Sequence, residues 1–598
     1  MIGGNIIRKG AGAASRVVGE TVRHAGSSAA NLGRRALKRR LPDHVVINLN
    51  REIVEREPAA PWWHDYVPGL PSPISIEELG ESLWRIAGDP DVKGVVFLVE
   101  SAALSLAQAQ SVADLFARFQ EWDAAYNGQA RKEITVYLEH VDAPGAVMAS
   151  AAHRVVMPPL GDWSVLGLQI APTFFKDTLA KLGVEFDVIK IAPWKTAADT
   201  LSRSEMSPEQ RAQYDWLLDS IFDELVAAVS AGRNLDADVV RALIDRAPLT
   251  AEQALNAGLI DVIAYEDELP ALLGSADKPA TLKPYEGTHL LLYHHAERPT
   301  SKAVGVISLE GAIMTGKSRS FPVPLPIFGE RTIGSATAQQ QIRAARKNDH
   351  LGAVILHVDS GGGSALASDL IWRELKQLDA EKPVVVYMGD VAASGGYYIA
   401  TPGRKIVAQP STLTGSIGVI MAKPVTAGMV KKVGARKEIV RRGEHAGIYG
   451  GEEPWTGDQR ATMEEGVQYV YRVFKERVAD GRNLEFNGLD EIANGRVWTG
   501  AQALEHGLID ATGDFQAAVE MARDLGDLEA RARVRTVAVT PQRKSLLAMP
   551  VEAVQAVLGV TRLYQVEDMI AGLAGGDLAK ALLSERYWLI ADDLPRVE

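Results

Sequence analysis

Short apolar runs rich in β-branched residues alternate along this chain with longer segments that have the apolar periodicity of helices. The runs are apolar at consecutive rather than alternate positions, which is typical of strands buried on both faces of a parallel sheet. They predict strands at 94–99, 134–138, 154–157, 304–309, 354–358, 384–388 and 406–408. Strands of this kind separated by helices predict an α/β fold with largely parallel sheets flanked by helices.

The chain contains an internal repeat. Thr250–Asp261 reads TAEQALNAGLID, and Thr499–Asp510 reads TGAQALEHGLID 249 residues later. At the same offset, Ser207–Gln210 and Thr456–Gln459 both have the sequence of a capping box at the start of a long helix. We therefore predict two tandem copies of one unit of roughly 200 residues, a usual size for a domain.

The sequence divides into four parts. Residues 1–42 form a basic arm, in which nine lysines and arginines face a single acid, Glu20. Residues 43–290 are predicted to form the first repeat, 300–530 the second repeat, and 531–598 a C-terminal extension. Two interpretations of the arm stay open, an interfacial helix on anionic lipid and a disordered basic tail.

Composition and charge exclude several classes of function. Hydrophobic residues at 46% and charged residues at 23% are typical of a globular protein, and the net charge of -12 argues against nucleic-acid binding. The chain has no cysteine, which excludes disulfides, thiolate catalysis and cysteine-ligated metal sites. No apolar run approaches the roughly 18 residues that a membrane-spanning helix requires.

Two glycine-rich turns follow predicted strands of the second repeat, at the strand ends where parallel sheets bind ligands. Asp359–Ser364 contains three consecutive glycines, which indicates a close backbone approach or free N–H groups. Ala392–Tyr397 holds Ser394 between residues too small to shield it, at a predicted helix start with unpaired N–H groups. The second turn therefore offers a nucleophile, and both turns offer oxyanion donors.

Each motif also has a simpler interpretation. A serine at a helix N-terminus is usually a cap, and the glycine run does not complete a dinucleotide motif because Leu366 stands where the third glycine is required. Gly311–Ser318 fits the phosphate-loop pattern, but a helix has to follow such a loop. The prolines within 321–326 forbid that helix, so ATP binding is not predicted.

A nucleophilic serine needs a base that accepts its proton. The sequence puts none of the twelve histidines beside Ser394, and His357 is predicted to lie within a strand. A lysine can act instead where burial lowers its pKa from about 10.4 toward about 7 to 8. Lys195 is the best candidate because it lies in the apolar irregular segment 192–198, although an ordinary surface lysine is the alternative.

These motifs resemble the long, duplicated form of signal peptide peptidase A, the protease IV family of serine-lysine peptidases. The matching segments are Asp359–Ser364, Gly389–Tyr397, Ser411–Gly418, and Lys195 with Met206–Pro208. The resemblance covers about residues 45–525 and implies two tandem crotonase-like repeats related to the Clp protease fold. It implies Ser394 as nucleophile and Lys195 as general base. Gly361 replaces a proline that is usual in the family, which predicts a looser turn there.

The two repeats divide the proposed pair between them. Aligning 154–159 with 405–410 places Ala143 opposite Ser394, and the same offset of 251 residues places Ala446 opposite Lys195. Each repeat thus holds one member, which predicts a single active site between them.

The resemblance implies the remaining parts of the site and its setting. Backbone N–H groups of Gly362 and Gly395 would hold the oxyanion, Ser416 is a candidate to orient the lysine amine, and no metal or other cofactor is expected. The implied activity is that of a serine endopeptidase cleaving apolar peptides, such as released signal peptides, at or near a membrane.

A homo-oligomer, a tetramer in the family, is also implied, with peripheral membrane contact and without a spanning helix. No nucleic-acid partner is expected. The alternatives on the same fold are a non-hydrolytic scaffold and an acyl-thioester enzyme.

Overall fold

The structure of the protein, a computed structural model, covers most of both predicted repeats. It describes residues 31–32, 34, 40–56, 73–100, 103–295, 300–325, 329–529, 534–540 and 588–590. Most of the predicted basic arm and of the C-terminal extension lies outside the described residues. Among the helices that the structure describes, none is both long and apolar enough to cross a bilayer.

The first half folds around a parallel sheet. Its strands are β1 (His44–Leu49), β2 (Ile53–Val54), β3 (Ile74–Ser75), β4 (Gly94–Val99), β5 (Glu133–Leu138), β6 (His140–Val141), β7 (Arg154–Met157), β8 (Asp162–Trp163), β9 (Glu185–Lys190), β10 (Leu249–Thr250), β11 (Val262–Ile263) and β12 (Leu282–Pro284). Its helices are α1 (Ile76–Ala87), α2 (Leu106–Asn127), α3 (Ala143–Ser150), α4 (Lys176–Leu182), α5 (Asp199–Ser202), α6 (Pro208–Arg233), α7 (Ala237–Asp245), α8 (Ala251–Asn256), α9 (Leu269–Leu273) and α10 (Tyr285–Thr288). The sheet order is β11-β7-β5-β4-β1-β12, and each neighbouring pair is parallel.

The second half repeats this architecture. Its strands are β13 (Ala303–Glu310), β14 (Ala312–Met314), β15 (Arg319–Leu325), β16 (Gly329–Gly334), β17 (Leu351–Ser360), β18 (Gly362–Ser364), β19 (Val384–Ala393), β20 (Lys405–Ala408), β21 (Leu413–Gly415), β22 (Ile420–Val425), β23 (Val497–Thr499), β24 (Ala511–Thr512), β25 (Thr536–Ala538) and β26 (Trp588–Ile590). Its helices are α11 (Ser335–Lys347), α12 (Ala365–Glu381), α13 (Gly395–Ala400), α14 (Ala427–Lys432), α15 (Gly457–Arg482), α16 (Gly500–Glu505) and α17 (Phe515–Leu525). The main sheet has the order β23-β21-β19-β17-β13-β25, with β20 beside β19 and β24 beside β20.

Most of the predicted strands are confirmed, and the two that lead to the glycine turns are longer than predicted. β17 and β19 continue through polar residues to Ser360 and Ala393, because Ser360 pairs with Ala392 after a shift in register. The segment after Gly311–Ser318 is the strand β15, which confirms that no phosphate-loop helix follows. The capping box at Ser207 is wrong: Ser207 caps α6, but Gln210 Oε1, which would have to accept from the Ser207 N–H, has no hydrogen-bond partner among the described residues.

The register of strand pairing is the same in both halves. His140 lies opposite Asp162 where β6 pairs with β8, and Val391 lies opposite Leu413 where β19 pairs with β21. Both residues of the second pair come 251 positions after their counterparts, which is the offset of the sequence alignment. The structure therefore supports the match between Ala143, the first residue of α3, and Ser394, the residue before α13.

A third sheet joins the halves, with the order β15-β16-β14-β18-β26-β22-β9. β9 comes from the first half and pairs antiparallel with β22 along its whole length, from Glu185 opposite Val425 to Lys190 opposite Ile420. The apolar core of the first half also contains Leu413 and Val497 of the second half. The halves therefore share a packed interior, and the chain directly after β9 is held against the second half.

A buried carboxyl group also lies between the halves. Ser111 Oγ donates to Glu55 Oε1 at 3.0 Å and lies 3.2 Å from the Tyr387 hydroxyl, while the Gln409 amide of the second half donates to Ser111 Oγ at 3.1 Å. Burial, followed by the charge of Asp390, raises the pKa of Glu55 to about 8. The neutral form of Glu55 is therefore the one that the folded interface favours.

We expect Glu55→Gln to remove part of the pH dependence of stability. An unfolded glutamate has a pKa of about 4.3, so between that value and about 8 the folded protein holds the extra proton, and the free energy of unfolding falls as pH rises, by at most about 1.4 kcal/mol per unit. Urea unfolding of both proteins at pH 5, 6.5 and 8 measures this. If the free energy of unfolding depends on pH in the same way for the variant and the parent, the raised pKa of Glu55 would be contradicted.

Candidate active site

Ser394 lies between the end of β19 and the start of α13 in an unusual backbone conformation. Its φ is 54° and its ψ is -112°, a combination that residues with a side chain rarely adopt. The Ser394 N–H donates to Gly415 O at 2.8 Å. Although Ser394 occupies the cap position of α13, its side chain makes no capping hydrogen bond. The simpler interpretation of Ser394 as a helix cap is therefore wrong.

Small residues around Ser394 permit close backbone packing. A Cβ on Gly396 would lie 2.3 Å from Ser360 O, and one on Gly395 would lie 2.8 Å from Ser368 Oγ. The first contact is with a backbone oxygen and excludes a Cβ at Gly396, whereas a Cβ at Gly395 would force the Ser368 hydroxyl to shift. The glycines after Ser394 thus bring the start of α13 against the first glycine turn.

The structure brings Lys195 to Ser394 from the other half of the chain. Lys195 lies in the irregular segment after β9, and its Nζ is 2.8 Å from Ser394 Oγ. The same nitrogen donates to Ser416 O and Ser416 Oγ, each at 3.0 Å. Lys195 is 1% exposed and Ser394 is fully buried. Lys195 is therefore not a surface lysine, and these three bonds all go to neutral oxygens.

A segment that the sequence reasoning missed holds the Lys195 backbone. The Trp194 N–H donates to Asn494 O at 3.1 Å, and the Arg496 guanidinium lies 4.9 Å from the centre of the Trp194 ring. Gly495 has a φ of 91°, and a Cβ there would lie 2.4 Å from Lys195 N. The Asn-Gly dipeptide marks a tight turn in the sequence, but nothing local indicates which residue the turn contacts.

Ser416 is held in place from both sides. Its φ is 50°, its N–H donates to Arg496 O at 2.6 Å, and its hydroxyl lies 3.4 Å from Gly495 O. The backbone and side-chain oxygens of Ser416 both face the Lys195 amine. The arrangement can fix the direction in which that amine points.

The first glycine turn lies directly beside the second. Gly362 has a φ of 105°, and its Cα is 3.1 Å from the position of a Cβ on Gly395. The Gly362 N–H donates to Ser360 Oγ at 3.1 Å, and that hydroxyl donates to Gly311 O at 2.6 Å. A Cβ on Gly361 would meet nothing within 4 Å. The Ser360 hydroxyl, rather than a proline ring, therefore holds this turn.

A short strand of the C-terminal extension, β26, lies beside the site. It pairs antiparallel with β18, with Gly362 opposite Ile590 and Ser364 opposite Trp588, and it also pairs antiparallel with β22 at Ile420. β26 also contacts α13, the helix that follows Ser394. An extended backbone thus fits between the glycine turn and the strand that follows Ser416.

His357 is not a base for Ser394. It lies within β17, as predicted, and it is 2% exposed. Burial, with the charge of Arg56 as a smaller cause, lowers the pKa of His357 to about 3. Neither ring nitrogen has a hydrogen-bond partner among the described residues.

The chain matches one protein family and several known proteins. Residues 127–278 and 376–529, together a little over half of the chain, match the peptidase family S49, once in each half. The "Serine protease SPPA, chloroplastic" of Arabidopsis thaliana is 31% identical over 493 residues, which are 82% of this chain and 72% of that protein.

Two bacterial proteins are similar over comparable lengths. "Protease 4" of Haemophilus influenzae is 27% identical over 502 residues, 80% of this chain and 78% of that protein. "Protease 4" of Salmonella typhi is 31% identical over 430 residues, 69% of this chain and 68% of that protein. The similarity to these proteins extends over most of the two repeats.

Proposed function

We propose, since this chain belongs to peptidase family S49, that Ser394 and Lys195 are the nucleophile and the general base of a serine endopeptidase. The observation that carries the proposal is the 2.8 Å between Lys195 Nζ and Ser394 Oγ in a buried site. This distance lies within the range in which a base can take a proton from a hydroxyl. No other described side chain is hydrogen-bonded to Ser394 Oγ in the structure.

The proposed mechanism requires an uncharged amine at Lys195, and the hydrogen bonds of the site accommodate one. A neutral amine has two N–H groups and one lone pair, and Ser416 supplies two acceptors, its backbone oxygen and its hydroxyl. Two N–H groups directed at Ser416 leave the lone pair for the Ser394 proton.

The reaction proceeds through an acyl-enzyme. Lys195 takes the Ser394 proton while Ser394 Oγ bonds to the peptide carbonyl carbon, and the carbonyl oxygen becomes an oxyanion. The C–N bond then breaks, and Lys195 returns the proton to the leaving amine. Water attacks the Ser394 ester with Lys195 as base, which releases the acid and restores the Ser394 hydroxyl.

Backbone N–H groups of Gly395 and Gly362 hold the oxyanion in this proposal. Gly395 is the first residue of α13, so its N–H has no acceptor within the helix. The Gly362 N–H already donates to Ser360 Oγ at 3.1 Å, so an oxyanion would be its second acceptor. Gly395 is therefore the stronger of the two donors.

The substrate class follows from the family. We infer apolar peptides, such as released signal peptides, cleaved at or near a membrane by a homo-oligomer that contacts the membrane peripherally. A peptide in the place of β26 would lie antiparallel to β18, which supports recognition of an extended backbone.

Removing residues 541–598 is expected to lower the KM for peptides at least about threefold without lowering kcat, because β26 no longer competes for this place. Leu589→Pro in the full chain, which removes one backbone donor from β26, is expected to have the same effect. Hydrolysis kinetics with an apolar reporter peptide measure both variants. A KM equal to that of the parent protein in both would contradict the competition.

A fluorophosphonate probe tests the proposed function itself. We expect labelling of the protein at Ser394, identified by mass spectrometry of the labelled peptide, and loss of labelling in Ser394→Ala. If the probe does not label the protein although the protein binds an unrelated peptide, a non-hydrolytic scaffold would be favoured. Acyl-thioester turnover that survives Ser394→Ala would favour the acyl-thioester enzyme.

A further inference from the structure

We propose that a cavity formed mainly by the first half binds a segment of the peptide substrate without hydrolysing it. The inference rests on the proposed peptidase function, but it concerns residues outside the Ser394–Lys195 site. The cavity has a volume of about 840 Å³ and is lined by residues of both halves. Cavities of this size hold ligands that bring several apolar groups together.

The cavity has the position in the first half that the active site has in the second. Its walls include segments of three turns, at 103–105, 142–144 and 164–169. Ser105 caps α2 with its hydroxyl in the way that Ser364 caps α12 after the glycine turn. The turn at 103–105 is therefore the counterpart of the first glycine turn.

The other two turns match the second half through the shared strand register. Ala143 stands opposite Ser394, so the turn at 142–144 corresponds to the nucleophile turn. The sequence offset assigns Ala446, an exposed alanine, as the counterpart of Lys195. The first half thus keeps the walls of a peptidase cleft while its sequence lacks the nucleophile and the base.

The lining identifies the kind of peptide that fits. Aliphatic side chains of Leu106, Ile221 and Leu413 line the cavity together with the carboxylates of Glu52, Asp142 and Asp390. No lysine or arginine is among the lining residues that the structure describes. Charge complementarity therefore selects a segment in which aliphatic side chains adjoin a lysine or arginine.

Two strands run from the wall of the cavity to the active site. Val391 of β19 and Leu413 of β21 line the cavity, and these strands end directly before Ser394 and Ser416. Val391 precedes Ser394 by three residues, a span of about 10 Å in an extended chain. A peptide longer than the part bound at Ser394 can therefore contact the cavity as well, whereas a very short peptide cannot.

Leu166→Arg tests this inference because Leu166 lines the cavity, is 67% exposed, and would bring a repelling charge without disturbing the core. The probes are a 20-residue peptide with two lysines beside an aliphatic segment and a three-residue apolar peptide amide. For Leu166→Arg, we expect the ratio of KM for the long peptide to KM for the short one to rise about five- to tenfold. Leu160→Arg is the matched control, since Leu160 is 96% exposed in the same half and is not among the described residues that line the cavity.

Binding of the long peptide to Ser394→Ala, measured by fluorescence anisotropy, separates this inference from the proposed function. If Leu166→Arg weakens binding of the long peptide to Ser394→Ala and Leu160→Arg does not, the cavity proposal is supported. This holds even if the parent protein hydrolyses neither peptide. The cavity proposal would be overturned if the parent hydrolyses both peptides, if the KM ratio is the same for the parent, Leu166→Arg and Leu160→Arg, and if the long peptide binds Ser394→Ala equally well with and without Leu166→Arg. The peptidase proposal would be left intact by that result.

Discussion

Ser394→Ala and Lys195→Ala are each expected to lower kcat for peptide hydrolysis by at least about 10⁴-fold, because a nucleophile without its base is as inactive as a base without its nucleophile. The same reasoning predicts that the double variant loses no more than either single variant. Hydrolysis of one reporter peptide by the three variants, at saturating concentration, measures this. Losses that multiply in the double variant would show that the two residues act independently.

Two matched controls separate chemistry from folding in this experiment. Ser150 is a buried serine of α3, and Lys423 is a lysine of β22 that is 5% exposed. Ser150→Ala and Lys423→Ala therefore remove the same groups from buried places outside the site. We expect both controls to hydrolyse the peptide at a rate within about threefold of the parent, since substitutions at separate sites act independently. Robust activity in a folded Ser394→Ala or Lys195→Ala protein would contradict the dyad.

The second large effect is expected at Gly495. A Cβ at Gly495 would lie 2.4 Å from Lys195 N and 2.5 Å from Lys195 Cα, and the φ of 91° is unfavourable for alanine. Gly495→Ala therefore has to displace the Lys195 backbone, and a displacement of about 1 Å in a catalytic group costs about 100-fold in rate. We expect hydrolysis and fluorophosphonate labelling to fall by at least that factor.

Gly488→Ala is the control for Gly495→Ala. Gly488 lies on the same connection between α15 and β23, and a Cβ there meets nothing within 4 Å. Thermal unfolding of Gly495→Ala measures how much the strain at residue 495 destabilises the protein, which we expect to be about 1 to 3 kcal/mol. A folded Gly495→Ala protein with the parent's kcat would mean that this contact does not position Lys195.

Local sequence patterns predicted much of the fold because the relevant forces act locally. The apolar runs at 94–99 and 154–157 coincide with β4 and β7, since a strand buried on both faces is apolar along most of its length. The strand register agrees with the 251-residue offset of the repeat alignment, because a duplicated chain that keeps its core also keeps its strand pairing. Ser394 and Lys195 were predicted as candidates from their residue types and from the resemblance to the protease IV family, and their side chains lie 2.8 Å apart in the structure.

Features that depend on distant contacts were not predicted. The pairing of β9 with β22 joins residues more than 200 positions apart, and neither strand has the continuous apolar character of the main sheets. Gly495 was missed because its role is defined by the backbone of Lys195, which lies 300 residues earlier. Glu55 was missed because the neighbours that raise its pKa come from the opposite half.

The division of the site between the halves affects when a newly made chain becomes active. Lys195 leaves the ribosome well before Ser394, and Gly495 follows Lys195 by 300 residues. At the usual 5 to 20 residues per second, those 300 residues take roughly 15 to 60 s to synthesise. On the proposed mechanism, a nascent chain with its first half already folded can hydrolyse nothing, because the amine has neither a serine to deprotonate nor the turn that positions it. Translation thus delays proteolysis until most of the second half has been made.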